Sequence, residues 1–171
     1  MDRARKLTQK GYEKLHKEAE KLSRVERPRV VQGVSDAAAE GDRSENAEYI
    51  YGKKKLREID KRLQYLARLL KGVEVVDPST LSGDVVQFGS TVTLDIWDAD
   101  DDDPQRKTWT IVGEGEADLK EGSISYLAPI AKALLGKKVG EQLHVLRPKG
   151  EADVEILHLS FAGTPFLKKE S

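Results

Sequence analysis

Apolar and charged positions alternate with the period of an α-helix over the first 70 residues. In the first part, apolar side chains recur at spacings of three and four residues, at Tyr12, Leu15, Ala19 and Leu22. This stripe predicts an amphipathic helix over residues 7 to about 39, with a kink or local interruption at Pro28, which has no backbone N–H. A second stripe of the same spacing lies at Leu56, Ile59, Leu63, Leu66 and Leu70. It predicts a second helix, which Gly72 is placed to end.

The two predicted helices are joined by a short polar segment, residues 40–46. This segment contains Gly41, which can adopt positive φ, and Asp and Ser residues that can cap the next helix. Two amphipathic helices joined by a short turn are typical of an antiparallel coiled-coil hairpin. We therefore expect such a hairpin over residues 1–76, with an acidic tip at residues 41–46.

After residue 76 the pattern changes to short runs of alternating apolar and polar residues, separated by Gly and Pro. These runs predict β-strands at residues 89–97, 107–112, 141–146 and 154–161. Pro129 and Gly136 bracket one short helix, and the aspartate-rich residues 98–104 are expected to form an exposed hairpin loop. The predicted fold class is α+β with two domains. The helical hairpin is followed by a small, mainly antiparallel β domain at residues 77–171, which ends in a short tail.

The formal net charge of −1 conceals an uneven distribution of charge along the chain. Residues 1–72 carry a net charge of +7 and residues 73–171 a net charge of −8. The absence of cysteine excludes disulfides, thiolate zinc sites and cysteine nucleophiles. No run approaches the roughly 20 apolar residues of a membrane span, and residues 1–10 lack the apolar core of a secretory signal. We therefore expect a cytoplasmic protein that contacts no membrane. We also expect it to be a monomer.

Several candidate motifs have an ordinary structural explanation. His16, His144 and His158 are far apart in sequence and form no zinc-binding motif. The aspartate run at residues 98–103 lacks the glycine and the glutamate that an EF-hand loop requires. The sequence therefore predicts neither a zinc site nor a calcium site.

The tip is a stronger candidate for chemistry. Asp42 and Glu45 lie three residues apart around the predicted turn, and two such carboxylates can converge on one cation. The predicted hairpin supplies no third or fourth ligand, so a metal bound there must be held mainly by another molecule. The alternative is that Asp42, Ser44 and Glu45 only cap the second helix.

Six cationic residues follow the tip in one stretch of ten residues, 53–62. This basic band consists of Lys53, Lys54, Lys55, Arg57, Lys61 and Arg62. A solvated helix face explains part of it, because Lys and Arg suit exposed helix positions. Three consecutive lysines cannot all face the partner helix, however, and a basic band beside an acidic tip is typical of a phosphate track that leads to a metal site. Both interpretations stay open at this point.

The tip and the second helix resemble those of GreB-type transcript-cleavage factors of the GreA/GreB family. The resemblance is carried by residues 41–49, Tyr51, residues 53–62 and residues 65–66. Further support comes from residues 7–8, 11–15, 88–89, 111–113 and 131–140, so the similar region extends over residues 7–161. The pair Arg43-Ser44 and the basic band favour the GreB type over the GreA type.

The resemblance implies an FKBP-like β domain without isomerase activity, and a function as a protein cofactor rather than as an enzyme. The implied partner is bacterial RNA polymerase, whose secondary channel the hairpin enters to stimulate the polymerase's own cleavage of backtracked RNA. Asp42 and Glu45 would complete the coordination of a Mg²⁺ held mainly by the polymerase, with Arg43 and Ser44 supporting the tip. The chain would need no cofactor of its own. Five residues of the basic band, Lys53, Lys54, Lys55, Arg57 and Arg62, would contact the RNA 3′ segment in the channel.

The family's polymerase-docking loop falls at Leu127, Ala128 and Pro129, where the resemblance leads us to expect Asp-Ser-Pro. Replacing a Ser cap removes about 1 kcal/mol of local stability, and loss of the Asp can retune docking. Two alternative functions would require different features of the sequence. A regulator that occupies the same channel without stimulating cleavage would have a more acidic tip. An isomerase or chaperone would need an aromatic-lined pocket, whereas only 6% of the residues are aromatic.

Overall fold

A computed structural model describes residues 5–41, 45–162 and 164–165. The chain forms two compact units. One unit consists of residues 12–73, and the other contains the residues before and after that segment. The predicted fold class is confirmed, since a helical hairpin is followed by a mainly antiparallel β domain with one short helix.

The hairpin is built from three α-helices and a short π-helical segment. Their bounds are Gln9–Lys21 for α1, Leu22–Glu26 for the π-helical segment, Arg27–Ala39 for α2 and Ala47–Leu70 for α3. Side-chain links between the two arms show that they run antiparallel. Hydrogen bonds join Glu18 to Arg62, Arg27 to Asp60 and Ala37 to Asn46. As the residue number increases along the first arm, that of its partner in the second arm decreases. The buried seam includes Leu15, Ile59 and Leu66 of the predicted apolar stripes, together with Ala37. Near the end of α3 the buried residue is Leu69, whereas the predicted Leu70 is only partly buried.

The interruption predicted at Pro28 is confirmed, and it takes the form of the π-helical segment immediately before α2. The N–H of Arg27 donates to the carbonyl of Leu22, five residues back, instead of to the residue four back. A proline ring clashes with the carbonyl four residues before it, and a wider turn relieves that clash. The first arm therefore stays helical through the proline.

The predicted start of the first helix is wrong by two residues. Strand β1, Lys6–Thr8, pairs in parallel with strand β2, Glu74–Val76, and α1 begins only at Gln9. This pairing joins the beginning of the chain to the residues after the hairpin. The compact units accordingly divide near residues 11 and 73, whereas the sequence suggested a single division at residue 76.

The β domain is one sheet of six strands, with the strand order β5-β4-β3-β7-β6 and β8 beside β7. The strands are β3 Ser90–Asp98, β4 Gln105–Val112, β5 Ser123–Ser125, β6 Gln142–Arg147, β7 Gly150–Phe161 and β8 Thr164–Pro165. The four predicted strands correspond to β3, β4, β6 and β7. Within the described part of this sheet, only the β4–β5 pair is parallel. Helix α4, Pro129–Leu134, contributes Ile130 and Leu134 to a core with Leu94 and Ile156.

The exposed loop predicted at residues 98–104 is confirmed for residues 99–104, which connect β3 to β4. Asp98 is instead the last residue of β3, accepts a hydrogen bond from Arg147 at 2.5 Å and lies 3.4 Å from Lys149. The hydrogen bond from Arg147 lowers the pKa of the Asp98 carboxyl. The first aspartate of the run therefore takes part in structural ion pairs.

A hydrogen-bonded node links Thr8, Gly11 and Glu116, which all belong to the unit that contains the β sheet. The Thr8 hydroxyl accepts a hydrogen bond from the N–H of Gly11 at 3.1 Å and donates one to the Glu116 carboxylate. Glu116 also accepts a hydrogen bond from the N–H of Thr8 at 2.8 Å. Burial raises the pKa of Glu116, although these hydrogen bonds oppose the shift. Thr8 is thus the N-cap of α1, and Glu116 orients it.

Two glycines make room for this node. A Cβ on Gly11 would lie 2.4 Å from the carboxyl carbon of Glu116, and a Cβ on Gly113 would lie 2.3 Å from the carbonyl oxygen of Lys6. The second clash is with backbone, which cannot rotate away as a side chain can. Gly113 is therefore required for the close approach of β1.

We predict that Gly113→Ala lowers the free energy of unfolding by roughly 1–3 kcal/mol, the usual cost of forced overpacking. Gly33→Ala is the matched control, because nothing lies within 4 Å of its added Cβ. Alanine is the better helix former by about 1 kcal/mol, so Gly33→Ala should stabilise the chain. Urea denaturation measures the free energy of unfolding of both variants, which should decrease for Gly113→Ala and increase for Gly33→Ala. Equal effects would contradict the close approach at Gly113.

Candidate functional site at the hairpin tip

The structure describes part of the tip. α2 ends at Ala39, Gly41 adopts a φ of 134°, Glu45 is exposed, and α3 begins after Asn46. The positive φ explains the glycine in the turn, since other residues rarely adopt it. Asp42, Arg43 and Ser44, which the sequence assigns to the site, lie outside the described residues.

Asn46 holds the two helix ends together. Its side-chain oxygen accepts hydrogen bonds from the N–H groups of Glu48 at 3.1 Å and Tyr49 at 3.2 Å, which makes it the N-cap of α3. Its side-chain nitrogen donates to the carbonyl of Ala37 at 2.8 Å, in the last turn of α2. An amide is suited to this position because it both donates and accepts. One side chain thus satisfies polar groups at the ends of both helices.

This geometry bears on the two interpretations of the tip carboxylates. The sequence left open that Asp42, Ser44 and Glu45 serve to cap the second helix. The cap of α3 is instead Asn46, and Glu45 forms no hydrogen bond or ion pair with any other described residue. The Glu45 carboxylate is therefore exposed and available to an external partner.

Close packing of the helices extends to the tip. Ala37 is fully buried, and a Cβ on Gly52 would lie 2.6 Å from Cγ2 of Val34. Val34 is branched at Cβ and has little freedom to move away. Gly52 therefore allows α3 to lie close to α2, and the backbone on both sides of the tip is fixed by packing as well as by the cap.

The basic band divides into an outward stripe and a flank. Lys53, Arg57 and Lys61 recur every four residues, with Lys54 beside them, on the face of α3 opposite the buried Ile59. All four are exposed and form no ion pair with a described residue. Lys55 is partly buried and lies on the flank. The structure adds Lys61, which the predicted RNA-binding set omits, to this stripe of uncompensated charge.

Arg62 differs from the other cations of the basic band. Its guanidinium donates two hydrogen bonds to the Glu18 carboxylate, at 2.7 and 3.0 Å, and lies 5.3 Å from the ring centre of Tyr65. The hydrogen bond to Glu18 raises the pKa of Arg62. Because Arg62 already links the two arms of the hairpin, the geometry gives less support to an RNA contact by Arg62 than by Lys53, Lys54 or Arg57.

The predicted docking loop is partly exposed on the β domain. Leu127 is 42% exposed, and its N–H donates to the Ser125 hydroxyl at 3.2 Å. Ala128 is the N-cap of α4 and supplies no side-chain hydrogen bond, as expected for the replacement of a Ser at this position. Pro129 is the first residue of the helix and is also exposed. The loop thus presents an apolar surface.

Within residues 5–41 and 45–162, no group of three or more His, Asp or Glu side chains could hold a metal ion. His144 is paired with Asp153 at 2.9 Å, and the hydrogen bond between them raises the pKa of His144. None of the helices in the described part of the chain is both long enough and apolar enough to span a bilayer.

An antiparallel helical hairpin with an exposed acidic end, joined to a mainly antiparallel β domain, is the architecture that the resemblance to transcript-cleavage factors implies. Comparison with known families identifies the class. Residues 5–75 match the family described as transcription elongation factor, N-terminal, and residues 81–161 match transcription elongation factor, GreA/GreB, C-term. The chain belongs to the GreA/GreB family of transcription elongation factors.

Similar proteins carry both names of the family. The chain is 43% identical over 157 residues to the transcription elongation factor GreA of Azorhizobium caulinodans, which covers 91% of this chain and 97% of that protein. It is 42% identical over 161 residues to GreB of Yersinia pestis, with 94% and 91% covered. These values do not separate the two types, so the preference for the GreB type stays a prediction. Gfh1 of Thermus thermophilus is 26% identical, with coverages of 92% and 99% and a TM-score of 0.42.

We predict that Asn46→Ala lowers the free energy of unfolding by about 1–2 kcal/mol, because it removes the cap of α3 and the link to Ala37. Asn46→Asp keeps the accepting oxygen but cannot donate to Ala37, so its free energy of unfolding should lie between those of the wild type and of Asn46→Ala. Urea denaturation measures both variants. If Asp and Ala were equally destabilising, the cap would contribute nothing.

Proposed function

We propose that this chain binds bacterial RNA polymerase, inserts the hairpin through the secondary channel and stimulates the polymerase's own cleavage of backtracked RNA. Membership of the GreA/GreB family supports this proposal. The observation that carries it is the Glu45 carboxylate, which is exposed at the end of a hairpin and has no described partner, while Asn46 performs the capping. A carboxylate held there is free to act on another molecule.

The chemistry assigned to the tip is coordination of a metal that the polymerase holds. Carboxylate oxygens are the protein ligands that Mg²⁺ prefers, and Mg²⁺ is usually bound by one or two carboxylates together with other ligands. Asp42 and Glu45 would supply such oxygens, and the ion would supply a nucleophilic water. Fixation of the helix ends by Asn46 and Gly52 favours a defined position for the adjacent Glu45 carboxylate.

The proposed attachment to the polymerase uses the β domain. Leu127 and Pro129 present apolar surface at the beginning of α4, and burial of such surface favours association. The outward stripe of the basic band would meanwhile attract the phosphates of the extruded RNA. The three parts would therefore divide docking, RNA attraction and chemistry among different residues.

We predict that Glu45→Gln and Asp42→Asn abolish stimulated cleavage and leave polymerase binding within about twofold, because each change removes the charge that binds the metal and keeps the size of the side chain. RNA release from stalled elongation complexes measures cleavage, and displacement of labelled wild-type protein measures binding. The chain without polymerase should release no RNA.

Two outcomes would contradict this mechanism. RNA release by the isolated chain, after removal of contaminating nuclease, would assign the chemistry to the protein itself. Normal release with either variant would show that the tip carboxylates are not used. If the wild-type chain bound polymerase and stimulated no cleavage, the non-cleaving regulator would be the better interpretation.

We predict that replacing Lys53, Lys54 and Lys55 together by Gln reduces the release of long RNA fragments more than the release of dinucleotides. These cations begin about 12 Å along the arm from Glu45, so only a longer extruded strand reaches them. The salt dependence of long-fragment release should also become shallower, because fewer counterions are displaced. Glutamine preserves helix propensity, so the hairpin should remain folded.

A matched control replaces Lys10, Lys14 and Lys17 by Gln. These lysines are also exposed and lie in α1. Their replacement changes the net charge by the same amount. The control should leave the ratio of long to short fragments unchanged. If both triple variants lost the same amount of long-fragment release, the basic band would be better interpreted as a solvated helix face.

A further inference from the structure

Tyr51 is an exposed aromatic residue in the second turn of α3. Its side chain is 69% exposed, and it forms no hydrogen bond and no ring contact with a described residue. A Tyr side chain that is mostly exposed gains little packing energy from the fold. The fold of the hairpin therefore does not account for this ring.

The other two tyrosines of α3 have cations over their rings. Lys53 lies 6.0 Å from the ring centre of Tyr49, and Arg62 and Arg68 lie 5.3 and 5.4 Å from that of Tyr65. Such contacts stabilise a cation at an aromatic face. Tyr51 is the one tyrosine of this helix whose ring stays open to another planar group.

Three of the four residues one turn from Tyr51 on the helix surface are charged, and the fourth, Ala47, is small. Lys54 and Lys55 follow it by three and four residues, and Glu48 precedes it by three. A docking site for another protein would need a continuous apolar patch, which these neighbours interrupt. An open ring with two cations one turn away is instead the combination that binds single-stranded nucleic acid, whose bases stack while its phosphates pair with cations.

We propose that Tyr51 is a stacking platform for one base of single-stranded RNA, with Lys54 and Lys55 holding the adjacent phosphates. The inference rests on the proposed function for the source of the RNA, the strand extruded by backtracking. It assigns Tyr51 a positioning role. The ring lies between Glu45 and the outward stripe along the chain, about 7 Å along the axis from the cap Asn46. A base stacked there would fix the strand next to the tip.

Stacking and ion pairing make separate predictions. Every base has a π-face, so Tyr51 should accept all four bases, and the larger purines should bind better than pyrimidines. Loss of the ring should weaken binding at every salt concentration without changing the slope of affinity against salt. Loss of the lysines should change that slope.

The test uses the full chain without polymerase, titrated at low salt with short oligoadenylate and with oligouridylate. Ring signals of Tyr51 followed by NMR should move upfield, and more with adenylate. Tyr51→Phe should keep the affinity within about twofold, whereas Tyr51→Ala should weaken it about tenfold or more. Ile50→Ala is the matched control, because Ile50 is exposed, adjacent and without a ring face.

The inference is overturned if the Tyr51 signals do not move while the oligonucleotide binds, or if Tyr51→Ala and Ile50→Ala weaken binding equally. These readouts need no polymerase, so they stand even if the wild-type chain fails to stimulate cleavage. With polymerase, Tyr51→Ala should raise the protein concentration for half-maximal release and leave the rate at saturation nearly unchanged. A loss of rate alone would place Tyr51 in the support of the tip and contradict the stacking assignment.

Discussion

The three hydrogen bonds of Asn46 hold the end of α2 and the start of α3 together. Helix ends leave polar backbone groups without partners, and a hairpin brings two such ends to one place. Asn46 satisfies N–H groups of α3 and a carbonyl of α2 with a single side chain. The residue just before it, Glu45, is therefore released from local bonding. A fixed backbone with an uncommitted carboxylate is the property that the proposed chemistry needs.

The beginning of the first arm is controlled in a similar way, with more partners. Thr8 caps α1 through the N–H of Gly11, and the Glu116 carboxylate receives both the hydroxyl and the N–H of Thr8. Gly11 and Gly113 contribute by lacking a side chain, because a Cβ at either position would enter the node. Short-range polar contacts and close backbone approach therefore define the first turn of α1, where residues 5–11 belong to the same unit as the sheet.

The sequence predicted the elements with a strong period and missed those that depend on tertiary contacts. The stripes of the hairpin and the four long strands were readable because their apolar side chains repeat regularly. β1, β2 and β5 have three residues each, which is too short for a period, and Leu7 was assigned to a helix although it is buried in a strand. At the tip, Asp and Ser are plausible caps by residue type, but the cap is the adjacent Asn46, whose amide also donates to the carbonyl of Ala37. The pairing of Arg62 with Glu18 could not be predicted from the sequence either, because these residues are 44 positions apart.

The choice between Arg and Lys follows the work that each cation does in the hairpin. Among the described residues, the two ion pairs between the arms both use Arg, as Arg27 with Asp60 and Arg62 with Glu18. A guanidinium forms directed, often paired hydrogen bonds, which suits a fixed partner in a defined register. The outward stripe uses mainly Lys, a strongly hydrated point charge on a flexible stem. Such a cation attracts phosphates without requiring one geometry. An RNA strand of variable length and sequence needs that tolerance. The arms that present the tip instead need ion pairs of one defined geometry.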